Sequence, residues 1–233
     1  MKIVSLNVRH GGGPRSSQIL DWLFAQSADI IMLSEWRTNA SGASLKAAIE
    51  GKEYMCFATE RTGANGLLFA SKHPFSALRL TPSVSSTGEI IAADLEAGTR
   101  ILCCYFPQKK AKKPFFEMCL EQAVQTQTPL LLIGDLNTGR NEIDLEQGAT
   151  KFDCADQFVA LTDGVGMIDL WRRSNGSSAQ EWTWRSIKNG FRIDHALANA
   201  ALISSAPRTR CWYDHSTRTD GLTDHSGMIV EVA

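Results

Sequence analysis

No stretch of 18 consecutive apolar residues occurs in the 233-residue chain, so no membrane-spanning helix is expected. The opening Met1-Lys2-Ile3-Val4-Ser5 reaches Asn7 without the apolar core of a secretory leader. The cysteines at 56, 103, 104, 119, 154 and 211 form no CxxC pair and have no zinc-finger spacing. Most sit among apolar neighbours, as small core residues do, which points to a reducing compartment and a cytoplasmic protein. Internal repeats, linkers and low-complexity tracts are also lacking. Charge of one sign is not in surplus: 24 Lys and Arg face 25 Asp and Glu, which excludes a uniformly basic nucleic-acid-binding chain.

What remains is a globular composition, 43% apolar and 21% charged, at a length that suits one domain over residues 1–233. The charge is unevenly spread. Arg100, Lys109, Lys110, Lys112 and Lys113 fall in a segment without acids, whereas residues 141–170 hold seven acids and one base, Lys151. A neutral total with a local basic run fits a protein that touches a polyanion along one edge.

Short Ile/Val/Leu-rich runs bounded by Gly, Pro, Asn or Asp predict strands at 2–7, 29–34, 66–71, 89–95, 100–106, 130–134, 192–197 and 227–232. Amphipathic spacing predicts helices at 17–26, 44–50 and 114–127, with a short piece near 153–160. Several strands follow one another without a helix between them. A mixed sheet arrangement covered by helices is therefore expected, rather than a purely parallel one.

Polar residues cluster at the strand ends. Asn7, Glu35, Tyr105, Asp135 and Asn137 follow or close strands, whereas Asp194 and Asp224-His225 open or precede them. In a sheet with antiparallel neighbours, the exit of one strand and the entry of the next share an edge, so all these groups can meet at one rim. Each has an ordinary reading too. Asn7 suits a turn, Asp135 an Asx turn, Tyr105 strand packing and Asp194 a surface pair with Arg192. Their joint order carries the argument.

Five blocks in sequence, Leu6-Asn7-Val8, Leu33-Ser34-Glu35, Gly134-Asp135-Leu136-Asn137, Arg192-Ile193-Asp194-His195 and Thr223-Asp224-His225-Ser226, resemble the endonuclease/exonuclease/phosphatase superfamily. Within it, Cys104-Tyr105-Phe106-Pro107 and Glu181-Trp182-Thr183-Trp184 followed by Phe191 resemble the exonuclease III and AP endonuclease branch. The resemblance implies a DNase I-like α/β fold, a four-layer sandwich of two mainly antiparallel mixed β-sheets flanked by helices. It implies Glu35 as the principal Mg²⁺ ligand, with Asn7 and Asp224 close by and Mn²⁺ able to substitute. Asp135 would orient or deprotonate the attacking water. Asn137 would hold Asp135 and the phosphate, and Tyr105 would lie against the phosphate. His225, positioned by Asp194, would bond a phosphate oxygen. Arg9 stands where the branch often carries an acid, which removes an outer carboxylate and adds a phosphate contact.

The residue types suit phosphodiester hydrolysis, which needs charge neutralisation, an in-line water and a stabilised leaving oxygen. Hard oxygen ligands suit Mg²⁺. The run Lys109-Lys110-Ala111-Lys112-Lys113 reads as a phosphate rail, extended by Arg9, Arg15, Arg37 and Arg61, or else as a solvated loop before the next helix. Trp184 and Phe191 would pack on a sugar or displaced base, or serve as core under the rim. The leading expectation is a monomeric Mg²⁺-dependent phosphodiesterase acting on double-stranded DNA, of the AP endonuclease or 3′ exonuclease repair type. The alternative is a phosphatase or phosphodiesterase acting on a small phosphoester or RNA. No membrane partner is expected, and a binding module without activity is disfavoured by the retained polar set.

Overall fold

Period-two alternation of apolar side chains builds two six-stranded sheets in the computed structural model, which describes residues 1–61, 63–82 and 87–233. The first sheet contains β1 (Lys2–Asn7), β2 (Ile30–Trp36), β3 (Met55–Ala58), β4 (Gly66–Ser71), β13 (Arg210–Asp214) and β14 (Gly227–Glu231), in the order β13-β14-β1-β2-β4-β3. The second contains β5 (Phe75–Leu80), β6 (Glu89–Leu95), β7 (Arg100–Tyr105), β8 (Leu130–Asp135), β9 (Ile168–Asp169) and β12 (Asp194–Ala198), in the order β5-β6-β7-β8-β12-β9. Each sheet has one parallel pair, β1–β2 and β7–β8, and is otherwise antiparallel. A small hairpin of β10 (Trp184–Arg185) and β11 (Gly190–Phe191) stands apart.

The alternation sorts the side chains into three cores. Ile3, Ile30, Met32 and Phe69 of the first sheet meet Ile91, Ile101, Cys103, Leu131, Ile133 and Ala196 of the second between the sheets. The opposite face of the first sheet (Val4, Leu6, Ile31, Leu33, Leu68) is covered by Ile19 and Leu23 of α1 (Ser16–Ala25) and by Leu45 and Ile49 of α2 (Ala40–Glu50). The outer face of the second (Ile90, Leu102, Leu130, Leu132) is covered by Phe116, Cys119 and Ala123 of α3 (Lys113–Gln125), with Phe158 of α4 (Ala155–Val159). The result is the expected four-layer sandwich. Asn39 caps α2 by accepting from Gly42 N at 2.9 Å, and Pro114 sits in the first turn of α3, where a missing N–H leaves no bond unmade.

The sequence pattern located the inner strands to within a residue or two. Asp194, not Arg192, opens β12, because Arg192 N bonds Asp144 O and Ile193 N bonds Thr183 Oγ1, outside the ladder. The strands it did not locate in the large sheets, β3, β5, β9 and β13, are their four edges. β5, β9 and β13 carry charged side chains and β3 is only four residues long, so none shows the longer apolar run that marks a central strand. The short helices α5 (Leu170–Asn175), α6 (Ala200–Ser205) and α7 (Ser216–Thr219) also went unmarked, being too brief to show a helical period. No described helix is long and apolar enough to cross a membrane.

Candidate functional site

The second sheet delivers three polar groups by simple alternation. Leu131 and Ile133 of β8 face the inter-sheet core, so Asp135, two residues on, faces the same way at the strand's end. Ile101 and Cys103 place Tyr105 likewise, and Ala198 and Ala196 place Asp194. Register brings them abreast, with Asp135 paired to Tyr105 on one side and Asp194 on the other. Gly134 is required here: φ is 140°, and a Cβ would lie 2.0 Å from the Cys104 carbonyl oxygen.

Asp135 is buried and heavily bonded. Oδ1 accepts from Asn137 N at 2.9 Å, and Oδ2 accepts from Asn7 Nδ2 at 3.0 Å and Asn137 Nδ2 at 3.4 Å. Across it stands His225, whose Nε2 lies 4.0 Å from Asp135 Oδ2 and whose Nδ1 pairs with Asp194 Oδ2 at 2.9 Å. Burial, with Asp194 beside it, pushes the Asp135 carboxyl up to about 7, against the pull of His225 and the bonds from Asn137 and Asn7. Burial works against the charge of His225, but Asp194, Asp135 and Asp224 outweigh it and raise the imidazole to about 10. The surroundings thus favour charge on the imidazole and disfavour it on the Asp135 carboxyl.

The first sheet supplies Asn7 and Glu35, by different means. Asn7 follows the inner positions Ile3 and Ser5, pairs with Ser34, bridges the sheets through its bond to Asp135 and donates also to Glu35 Oε1 at 3.3 Å. Strict alternation would turn Glu35 out toward the helices with Ile31 and Leu33. A bulge between Ser34 and Trp36, with Glu35 at φ 57°, turns it into the cleft instead. Glu35 Oε1 lies 3.5 Å from Tyr105 Oη, and Oε2 accepts from His10 N at 2.9 Å. Tyr105 is steadied by Asn65 Nδ2 at 3.2 Å, and Asn65 Oδ1 accepts from Arg37 Nε at 2.7 Å. Burial, then the Glu35 charge, pushes the Tyr105 phenol well up. Asp224 accepts from Trp184 Nε1 at 3.1 Å; burial opposes its charge, but His225 and that bond hold the carboxyl below its usual range.

These groups line a cleft of about 360 Å³ walled by Phe152, Trp184 and Phe191, with Phe191 5.7 Å from each of the other two ring centres. Phe152, His10, Asn65 and Gln108 were not anticipated from the sequence. His10 alone carried a signal, following Arg9 in a glycine-rich turn close to Asn7. Glu35 and Asp224 present carboxylates to the cleft, and the buried Asn7 amide donates to Glu35 while its Oδ1 accepts from Arg9 N. The two carboxylates are hard-oxygen donors of the kind Mg²⁺ takes. The ligand atoms of Asp135, Asp194 and His225 also lie within 4.8 Å of one another, but the imidazole is spent on Asp194.

Some expected contacts are not found. Lys112 does not join an exposed rail. It is 2% exposed and donates from Nζ to the carbonyl of Asn137, and burial lowers its ammonium pKa. A single turn of 3₁₀ helix at Lys109–Lys112 turns it inward, leaving Lys109, Lys110 and Lys113 exposed. Arg15 is taken up by the carbonyls of Val8, Arg9 and Leu222, and Arg61 pairs with the buried Glu89 at 2.9 Å. Arg192 does not pair with Asp194. It is fully buried and binds Asp144 and Asp169.

Fold and cleft together define a DNase I-like sandwich with its polar site between the sheet ends. The endonuclease/exonuclease/phosphatase family model matches residues 4–225, and the chain belongs to that family. It is 23% identical over 261 residues to a DNA-(apurinic or apyrimidinic site) endonuclease of Dictyostelium discoideum, covering 100% of this chain and 71% of that one. It is 25% identical over 240 residues to exodeoxyribonuclease III of Haemophilus influenzae, covering 87% and 89%. Among solved structures, a Neisseria 3′ phosphatase bound to a product DNA hairpin superposes with a TM-score of 0.83 at 22% identity, covering 100% and 99%.

Proposed function

We propose that the protein is a Mg²⁺-dependent phosphodiesterase, active also with Mn²⁺, that hydrolyses backbone phosphodiesters of double-stranded DNA in the manner of an AP endonuclease or 3′ exonuclease of repair. It would act in the cytoplasm as a single-domain monomer. The observation that carries this reading is the facing pair in the cleft: Asp135, clamped by Asn7 and Asn137, opposite the His225–Asp194 couple at 4.0 Å. The relatives, an endonuclease of apurinic or apyrimidinic DNA sites and an exodeoxyribonuclease, support the choice of DNA.

Asp135 takes the proton of the attacking water. Its elevated pKa makes it a better acceptor at neutral pH than an exposed carboxylate would be. His225 donates a charged hydrogen bond to a phosphoryl oxygen, and Asp194 fixes its ring and its charge. Asn137, anchored by Phe106 O at 2.8 Å, holds Asp135 in place. Tyr105 lies along the phosphate. Glu35, Asn7 and Asp224 would hold the metal ion, which would neutralise charge on the phosphate. Trp184 and Phe191 pack on the sugar or on a displaced base, and Lys109, Lys110 and Lys113 with Arg9 and Arg37 track the backbone.

The test is a substrate panel in Mg²⁺ and in EDTA: abasic duplex, blunt and recessed duplex, single-stranded DNA, RNA, 3′-phosphorylated ends and soluble phosphate esters. Mg²⁺-dependent cleavage of duplex DNA is expected, abolished by EDTA. Turnover confined to soluble esters or RNA would replace this reading with the alternative.

A further inference from the structure

The register of β2 and β4 ends at the pair Trp36–Gly66, and the next two residues, Arg37 and Asn65, meet through their side chains. Gly66 fixes the approach. It packs so closely on Thr59 that a Cβ would lie 2.6 Å from Thr59 Oγ1. Leu67 N donates to that oxygen at 2.8 Å, and Thr59 N donates to Leu67 O at 2.9 Å. From this base Asn65 Oδ1 accepts from Arg37 Nε at 2.7 Å. A guanidinium carries only donors, so the amide atom that faces it is the oxygen, and the amide NH₂ points away. It points across to the second sheet, where Nδ2 donates to Tyr105 Oη at 3.2 Å. Asn65 belongs to none of the five sequence blocks that carry the family resemblance.

Turning the amide over would set its NH₂ against Arg37, donor to donor. The chain of bonds therefore has one direction, from Arg37 to Asn65 to Tyr105. A phenol oxygen that accepts from Asn65 turns its own hydrogen elsewhere. Tyr105 lines the cleft, and that hydrogen meets Glu35 Oε1 only across 3.5 Å between the oxygens, the long limit of a hydrogen bond. It is free to be given to a group that enters the cleft. Resting on the nuclease reading, we propose that Asn65 is a positioning residue for the hydrolysis: braced by Arg37, it holds the Tyr105 hydroxyl as a donor to the scissile phosphate. Asn65 acts only through the tyrosine. The bond that Tyr105 gives strengthens as charge builds on the phosphoryl oxygen, so its loss falls on kcat more than on KM.

The experiment measures single-turnover cleavage of duplex DNA in Mg²⁺, and the thermal midpoint, for Asn65→Asp, Asn65→Leu, Tyr105→Phe and Asn65→Asp/Tyr105→Phe. Asn65→Asp keeps the shape and the Arg37 bond but accepts where the amide donates, so it draws the Tyr105 hydrogen onto itself. Asn65→Leu keeps the approximate size, bonds neither neighbour and leaves the hydroxyl free to turn. Tyr105→Phe should lower kcat roughly a hundredfold, as loss of one preorganised donor does, and Asn65→Asp should come close to it. Activity should then fall from wild type to Asn65→Leu to Asn65→Asp, whereas the thermal midpoint should be lowest for Asn65→Leu and level with wild type for Asn65→Asp. In the Tyr105→Phe background Asn65→Asp should change nothing further, because no hydroxyl is left to turn. A loss that persists in that background is an effect of the added charge and overturns the proposal. Activities that follow the thermal midpoints would make Asn65 structural and also overturn it. Wild-type cleavage by Tyr105→Phe overturns it and leaves the nuclease reading standing. A wild type that cleaves no oligonucleotide overturns both.

Discussion

The two sheets bring their groups to the same cleft by opposite means. The second sheet does it with regular structure: Tyr105, Asp135 and Asp194 are simply the next inward positions after Cys103, Ile133 and Ala196. The first sheet brings Asn7 by the same alternation, but Glu35, Arg9 and His10 by exceptions, a bulge and a left-handed turn. Regular strands fix Asp135 and Asp194, the two buried carboxylates that flank His225. The irregular side carries the more exposed groups, those suited to an ion and to flanking phosphates. Precision comes from the ladder, and reach comes from its interruption.

The sharpest way to break this comparison is to remove Asp135, which closes β8, and Asn137, which clamps it from the loop that follows. Asp135→Ala should lower kcat by more than the roughly 2.7–4 kcal/mol typical of one preorganised donor, and Asn137→Ala should fall within that range. Single-turnover cleavage of duplex DNA measures both, and wild-type turnover by Asp135→Ala would remove it from the chemistry.

Below the same sheet lies a buried charge cluster in which Arg192 and Arg172 bind Asp144 and Asp169, with His195 Nδ1 4.0 Å from Asp169. Burial, then Arg192, lowers the His195 imidazole to about 4. The unfolded chain takes up that proton near pH 6.5, so it holds more protons than the folded one between pH 6.5 and 4. The His195 contribution is whole above pH 6.5 and falls by about 3 kcal/mol as the pH drops to 4. Urea unfolding at pH 7, 5.5 and 4.5 should show His195→Gln losing less stability on acidification than wild type. Parallel curves would contradict it.

Smaller effects separate the lysines. Lys112→Met leaves the Asn137 carbonyl without its ammonium partner and should cost about 1–3 kcal/mol in stability, with lower kcat. Lys109→Ala/Lys110→Ala/Lys113→Ala should change stability by less than about 0.5 kcal/mol, and weaken duplex binding with a shallower salt dependence. If the triple variant proved the less stable and Lys112→Met bound DNA as poorly, the division between the buried lysine and the exposed ones would be wrong.

What could be read from the sequence follows the same divide. Central strands announce themselves by apolar runs, and their polar ends gave Asp135, Asn137, Asp194, Asp224 and His225 as a set. Glu35 was found by its place after a strand and by its motif, and not by its period, since period two alone sends it to the wrong face. Lys112 was misplaced because composition cannot tell which lysine of a run a helical turn buries. His10 and Phe152 depend on loop geometry that no period encodes, and the edge strands on partners that no local pattern names.

The most direct test of a single site shared by both sheets is a double-mutant cycle between Glu35→Gln and Asp194→Asn, read as kcat/KM on duplex DNA in Mg²⁺. Residues acting as a unit are strongly non-additive, so the double variant should fall little below the poorer single variant. Losses that simply multiply would mean that Glu35 and Asp194 act independently.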